Sequence, residues 1–344
     1  MGIDFVTLGM FIIDDIYPPP TAADQTPQKD IIGGAGTYSA IGARLFSPPP
    51  KSKSVGWIVD TGTDFPADVH ETITSWQTGV LMRPRDALTT RGWNGYGEND
   101  HRAFKYLTEK KRLTADDLTP ELLASRSFHL ICSPNRCIEI VKRILERRKE
   151  SLGAEFPRPL IIWEPVPDLC IPSELENTFA ALAYVDVISP NHEELGQLLS
   201  GVKADGVDKR IIEEQAQQLL VHGIGPAGKG LIVVRASKEG AYVASPFETS
   251  WFPAYHTDST KVIDPTGGGN GFLGGFAVGL VRNENATIKA AQWGSIAASF
   301  CIEQVGMPAL TPSTTPEVDH ENWNGHDVLK RLEEYNTRMF PANP

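Results

Sequence analysis

The sequence predicts one α/β domain built on a doubly wound sheet, and two observations carry that expectation. Short buried-strand patterns, among them Phe5–Gly9 (FVTLG), Leu160–Trp163 (LIIW) and Leu231–Val234 (LIVV), alternate with helix-period segments along the chain. No linker, repeat or low-complexity run divides the 344 residues, a length that single α/β domains reach. Hydrophobic residues at 41% and charged residues at 22% are enough for a large core.

The net charge of −11 argues against nucleic acid or an anionic membrane as the main partner. Cys132, Cys137, Cys170 and Cys301 are too scattered for a zinc site and read as reduced thiols. Met1–Phe5 lacks the basic start of a secretion signal, and no apolar run approaches the ~18 residues of a membrane span. A soluble, cytoplasmic protein is expected.

After the first strand, Met10–Ile16 (MFIIDDI) ends an apolar run in Asp14 and Asp15, which suit a strand mouth, where α/β sheets bind ligands. Tyr17 to Pro20 then forces an extended connection. Ile31–Ala40 (IIGGAGTYSA) sets Gly33 and Gly34 ahead of a helix through Ala43 and Leu45. Ser54–Val59 reads as a strand, and residues 88–107, rich in Gly, Asn and aromatics, are polar yet strand-capable.

Phe128–Cys132 (FHLIC) is the next strand. Beyond it Ile138, Val141 and Leu145 recur at helical spacing above a solvated basic face. Leu160–Trp163 ends in Glu164 and Pro165. Asn191 and Glu194, spaced three apart on a first helical turn, can face the same way and hold hydrated Mg²⁺ beside phosphates. The same residues suit a capped helix start without metal. Gly223–Lys229 nearly spells a Walker phosphate loop, but a helix precedes it and a strand follows, the reverse of what that loop needs. It reads as a helix-to-strand turn.

The most informative stretch is Val262–Phe276 (VIDPTGGGNGFLGGF). Consecutive glycines let the backbone approach a ligand closely, and a helix starting after them turns its free N–H groups and positive end toward an anion. A helix entry with Asn270 near its N-cap would need turn chemistry alone. Gly269, Gly271 and Gly274 also spell a dinucleotide fingerprint, but the second strand it requires is missing, since Thr287–Ile302 reads as a helix. Residues 309–344 read as a peripheral C-terminal segment with a last helix through Val328, Leu332 and Tyr335.

Together these stretches resemble the PfkB (ribokinase-like) carbohydrate kinases. Asp264, Thr266, Gly267 and Gly269 match that family's Asp-Thr-x-Gly-Ala-Gly-Asp signature, with Pro265 for Thr, Gly268 for Ala and Asn270 for the catalytic Asp. Gly33, Gly34 and Ala40 fit its Gly-Gly-x-x-x-Asn-x-Ala element, with Tyr38 in place of the Asn. Asn191 and Glu194 fit its Asn-x-x-Glu motif, and Leu231–Ala241 its strand and Gly-x-x-Gly turn, with Ala236 as the replaced first glycine and Gly240 kept.

The resemblance implies a ribokinase-like doubly wound sheet flanked by helices, in a single domain over 1–344. A small β lid would come from approximately residues 14–32 and 88–107. It implies ATP and Mg²⁺ as cofactors, with nucleotide phosphates at Asp264, Thr266, Gly267, Gly268, Gly269 and Gly240. A polyol, sugar or nucleoside would sit at Asp14, Gly33 and Gly34, and a metal would be held through water by Asn191 and Glu194. A protein partner or a homodimer through the lid is also compatible with it. An Asn amide cannot take a proton near neutral pH, so phosphotransfer is expected to be weak or absent, and Asn270→Asp to create or raise it. The alternatives are an active sugar or nucleoside kinase using another base and, in another class, a dinucleotide-dependent α/β enzyme.

Overall fold

A computed structural model describes residues 2–18, 24–96, 102–203, 206–284, 286–311 and 321–339. Pro19 and Pro20 of the expected extended connection lie outside these. Among the described residues nine strands form one sheet. Their order is Thr249–Phe252, Ala241–Ala244, Leu231–Arg235, Val187–Ile188, Leu160–Pro165, Ser127–Cys132, Phe5–Thr7, Val55–Thr61 and Gly79–Pro84. The two strands after Arg235 fold back antiparallel at one edge, while the rest pair in parallel.

Alternation along each strand explains why both faces are covered. Phe5, Trp57, Ile162, Val187 and Val233 point into one core, and their neighbours Val6, Ile58, Ile161, Ile188 and Ile232 into the other. The first core is closed by the helices Ala35–Leu45, Gly268–Arg282 and Thr287–Cys301. Pro134–Leu152, His192–Ser200 and Lys209–Val221 cover the second. The expected doubly wound sheet is therefore present, and the near-Walker segment is the turn between Lys209–Val221 and Leu231–Arg235. No helix among the described residues is long and apolar enough to cross a membrane.

Glycines in the helix Gly268–Arg282 serve close helix packing. A Cβ on Gly274 would lie 1.9 Å from Ser39 O, and one on Gly42 of the facing helix 2.0 Å from Gly271 O. Two glycines of the apparent dinucleotide fingerprint, Gly271 and Gly274, are thus helix contacts, and Thr287–Cys301 follows as a helix.

A second sheet of four strands, in the order Gln28–Gly33, Ile12–Tyr17, Arg91–Tyr96 and Arg102–Tyr106, supplies the expected small sheet. The C-terminal part, by contrast, is not peripheral. Trp323 and Tyr335 are buried in the first core. Glu321 makes two hydrogen bonds with the buried Arg44 guanidinium, at 2.6 and 2.7 Å, and Tyr335 Oη donates to Pro253 O at 2.7 Å. Residues 312–320 and 340–344 of that segment lie outside the described ones.

Candidate active site

Thr7, Glu164 and Arg235 stand at or next to the carboxyl ends of parallel strands, and the helix that follows the glycine turn reaches them through Asn270, which bonds Glu164. Asp264 opens the turn. It is buried, and its Oδ1 accepts the Thr266 N–H at 2.9 Å, a local bond that fixes the bend through Pro265. Gly267 follows with φ 76°, a left-handed conformation that costs glycine little. Its missing Cβ also matters, since one there would lie 2.2 Å from the Tyr38 ring. Tyr38 supports the turn from beneath, which accounts for an aromatic at that position.

Helix Gly268–Arg282 starts directly after the turn. Its first residues border a cleft of about 620 Å³ lined also by Pro265, Gly240, Arg235 and Phe272. Of the residues expected to hold nucleotide phosphates, Gly268, Gly269 and Gly240 line this cleft, whereas Asp264, Thr266 and Gly267 shape the turn behind it. One position is corrected. The first-glycine site of the Gly-x-x-Gly turn is Ser237, three residues before Gly240 and at φ 51°; Ala236 lies at φ −114°.

Asn270 points back to the sheet. Its Nδ2 donates to Glu164 Oε2 at 2.7 Å, at the end of the strand Leu160–Pro165. Arg235 Nη1 pairs with Glu164 Oε1 at 2.7 Å, and His129 Nε2 lies 3.3 Å from Glu164 Oε2. Behind the imidazole, Thr7 Oγ1 sits 3.2 Å from His129 Nδ1 and accepts the Gly9 N–H at 3.0 Å. A Thr7 hydroxyl that donates to Nδ1 leaves the His129 proton on Nε2, facing Glu164. Burial works to raise the Glu164 pKa, but Arg235, His129 and Asn270 together overcome it and hold the carboxyl below its ordinary range. Such a carboxylate is ionised and a weak proton acceptor.

Glu194 lies on the far side of Arg235. Asn191 Oδ1 accepts the Glu194 N–H at 2.8 Å, and Glu194 Oε2 accepts the Asn191 N–H at 2.7 Å, a reciprocal cap on the helix His192–Ser200. Arg235 Nη2 reaches Glu194 Oε2 at 3.3 Å. Here burial dominates and pushes the Glu194 pKa up despite Arg235.

The other expected binding residues gather on the small sheet. Asp14 is buried in the strand Ile12–Tyr17, where a Cβ on Gly33 would lie 2.0 Å from its Oδ2 and one on Gly92 2.6 Å from its Oδ1. Gly33 therefore makes room for the carboxylate. Gly34 has a different task. At φ 89° it caps the helix Ala35–Leu45 with its Cα facing backbone, since a Cβ would lie 2.4 Å from Met10 O.

His129, Arg235, Ser237 and the role of Glu164 escaped the sequence reading. A usable signal existed, because charged or ring-nitrogen side chains stand near the carboxyl ends of otherwise apolar parallel strands, where α/β ligand sites form.

Fold and turn together define a ribokinase-like α/β protein. Over its whole length the chain is similar to solved ribokinases. The Giardia lamblia ribokinase structure gives a TM-score of 0.67 at 14% identity, covering 99% of this chain and all of that one (100%). An Arabidopsis thaliana ribokinase structure, complexed with ribose and ATP, gives 0.64 at 18% identity, covering 97% of this chain and 99% of that one. In sequence, Protein MAK32 of Saccharomyces cerevisiae is 37% identical over 351 residues, 96% of this chain and 91% of that protein. The model of the pfkB family carbohydrate kinases matches residues 164–314. The chain belongs to the PfkB family of carbohydrate kinases.

Proposed function

We propose that this protein binds an adenine nucleotide in the cleft beside the glycine turn and a small polyol, sugar or nucleoside near Asp14, with weak or absent phosphoryl transfer. One observation carries the reading. The side chain where the family places its base is an amide whose Nδ2 donates to Glu164. Its neighbour Glu164 is held ionised by Arg235 and His129, so neither group is a ready acceptor for a hydroxyl proton. Losing a general base costs about 10²–10⁴ in rate, while positioning and electrostatics survive. The ribose and ATP complexed with the Arabidopsis ribokinase support the choice of ligands. The edge strand Arg102–Tyr106, which exposes Phe104, is the surface a second copy or a protein partner would use.

The test is a thermal-shift panel of nucleotides and hydroxyl-bearing ligands, followed by turnover assays on those that bind. Fresh protein with the mass of its Asn270 peptide confirmed is required, because the Asn270-Gly271 pair is prone to deamidation and would create an Asp. Absence of any shift at millimolar ATP or ADP would refute the nucleotide site. Turnover of wild type at ordinary kinase rates would refute the impaired-transfer reading and point to another base.

A further inference from the structure

The donor set at Asn191 and Glu194 does not fit a hydrated divalent cation. Each side chain is committed to the other's backbone N–H, and Arg235 stands 3.3 Å from the one carboxylate that would face the metal. Mg²⁺ takes oxygen ligands in a strict geometry and keeps several waters. On that carboxylate it would meet the guanidinium, a like charge. Among the described residues no group of three His, Cys, Asp or Glu side chains is placed to hold a metal.

Arg235 has the properties the metal would bring. It ends the strand Leu231–Arg235 and lines the same cleft as Gly240, Gly268 and Gly269. A Cβ on Gly269 would lie 2.3 Å from Arg235 Nη1, so the guanidinium packs directly on the first turn of the glycine helix. That turn is the helix's positive end. Nη1 is fixed by Glu164 at 2.7 Å and Nη2 by Ser189 O at 2.9 Å. Nε is a buried donor with no hydrogen-bond partner among the described residues. A cation held this way has already lost its rotamer freedom, and it recognises phosphate without the water shell of a metal.

We propose that Arg235 is the built-in cation of this cleft, and that a nucleoside diphosphate or triphosphate binds there without Mg²⁺. The inference rests on the nucleotide reading, and the experiment separates the two. Titrate the full-length protein with ADP and ATP by calorimetry, once in excess EDTA and once in excess Mg²⁺. The expected result is binding in EDTA within about threefold of that in Mg²⁺, since the fixed Arg235 guanidinium already offers the phosphates a cationic donor. Binding that appears only with Mg²⁺ overturns the proposal and leaves the nucleotide site standing. Binding in neither condition overturns both.

Arg235→Gln is expected to weaken metal-free binding by about ten- to a hundredfold, the worth of one charge-assisted hydrogen bond. Arg235→Lys keeps the charge and recovers part of it. Arg235→Gln binding ADP in EDTA as tightly as wild type would also overturn the proposal. The wild-type comparison decides the question by itself if the Gln variant does not fold.

Discussion

Asn270→Asp is the substitution that the sequence alone recommends, because it restores the family's carboxylate. The structure reverses the expectation for the single variant. It would set a second carboxylate 2.7 Å from Glu164 Oε2, where the amide now donates. Two unit charges at that distance repel by about 6 kcal/mol at an effective dielectric near 20. Protonating one of them at pH 7 costs only about 4 kcal/mol, three pKa units at about 1.4 kcal/mol each. The variant therefore takes up a proton on folding, and about 4 kcal/mol bounds its loss of stability. Arg235 and His129, which face the same Glu164, reduce that figure.

The shared carboxyl has a folded pKa raised above its unfolded value near 4. The penalty is accordingly absent below that value, grows as pH rises, and at pH ~5.5 amounts to about 2 kcal/mol. Urea melts of wild type and Asn270→Asp at pH ~5.5 and ~7 measure it, each variant compared with wild type at the same pH. The double variant Asn270→Asp with Glu164→Gln puts an amide donor opposite the new carboxylate. It should recover part of the loss, and it is the variant expected to raise phosphoryl transfer, by up to about 10²–10⁴. If Asn270→Asp is as stable as wild type at both pH values and gains activity alone, the Glu164 contact does not govern this position.

Other expectations follow from the same contacts. ATP or ADP should raise the melting temperature by mass action, and Gly269→Val should abolish the shift by driving a branched side chain into the Arg235 guanidinium. Asp14→Ala should weaken a hydroxyl-bearing ligand, read by the same titration, while leaving nucleotide affinity unchanged. Trp323→Ala should cost about 3–5 kcal/mol in a urea melt, because the indole is fully buried beneath Arg44. Burial opposes ionisation of Glu303, but His256, Asn324 and Arg331 overcome it and lower its pKa to about 2. Glu303→Gln should therefore lose roughly 1–2 kcal/mol at neutral pH, the full shift being discounted for solvent screening, and the deficit shrinks as pH falls from about 4.5 toward 2.

The layered fold was legible because parallel strands covered on both faces must be apolar throughout, and Leu160–Trp163 and Leu231–Val234 are. The glycine turn was legible because Gly267 must adopt positive φ beside an acid that bends the chain. Other features depend on contacts that no local pattern encodes. Asn270 and Glu164 are 106 residues apart, and neither motif names the other. The C-terminal segment looked peripheral because it is mostly polar, yet Glu321 finds Arg44 across 277 residues and Trp323 fills the space beside it. Ser237, by contrast, was legible from spacing alone, since a Gly-x-x-Gly turn ending at Gly240 begins three residues earlier, and its φ of 51° is the conformation that favours glycine there.

The charged and polar groups around Glu164 form one physical unit. Arg235 sits between Glu164 and Glu194, and Asn270 completes the shell of Glu164. Place Asp at 270 alone and one guanidinium faces three carboxyl groups in a buried site, so that one of them must take up a proton. Remove Arg235 alone and two buried carboxylates lose their only close guanidinium among the described residues. The amide at 270 is thus the neutral partner that a built-in cation requires, because it satisfies Glu164 without adding charge. The amide at 270 and the guanidinium at 235 are therefore two parts of one arrangement around Glu164. Under the proposed function this arrangement would favour holding phosphate over moving it, since Glu164 and Glu194 are the carboxylates that hold the Arg235 guanidinium in place.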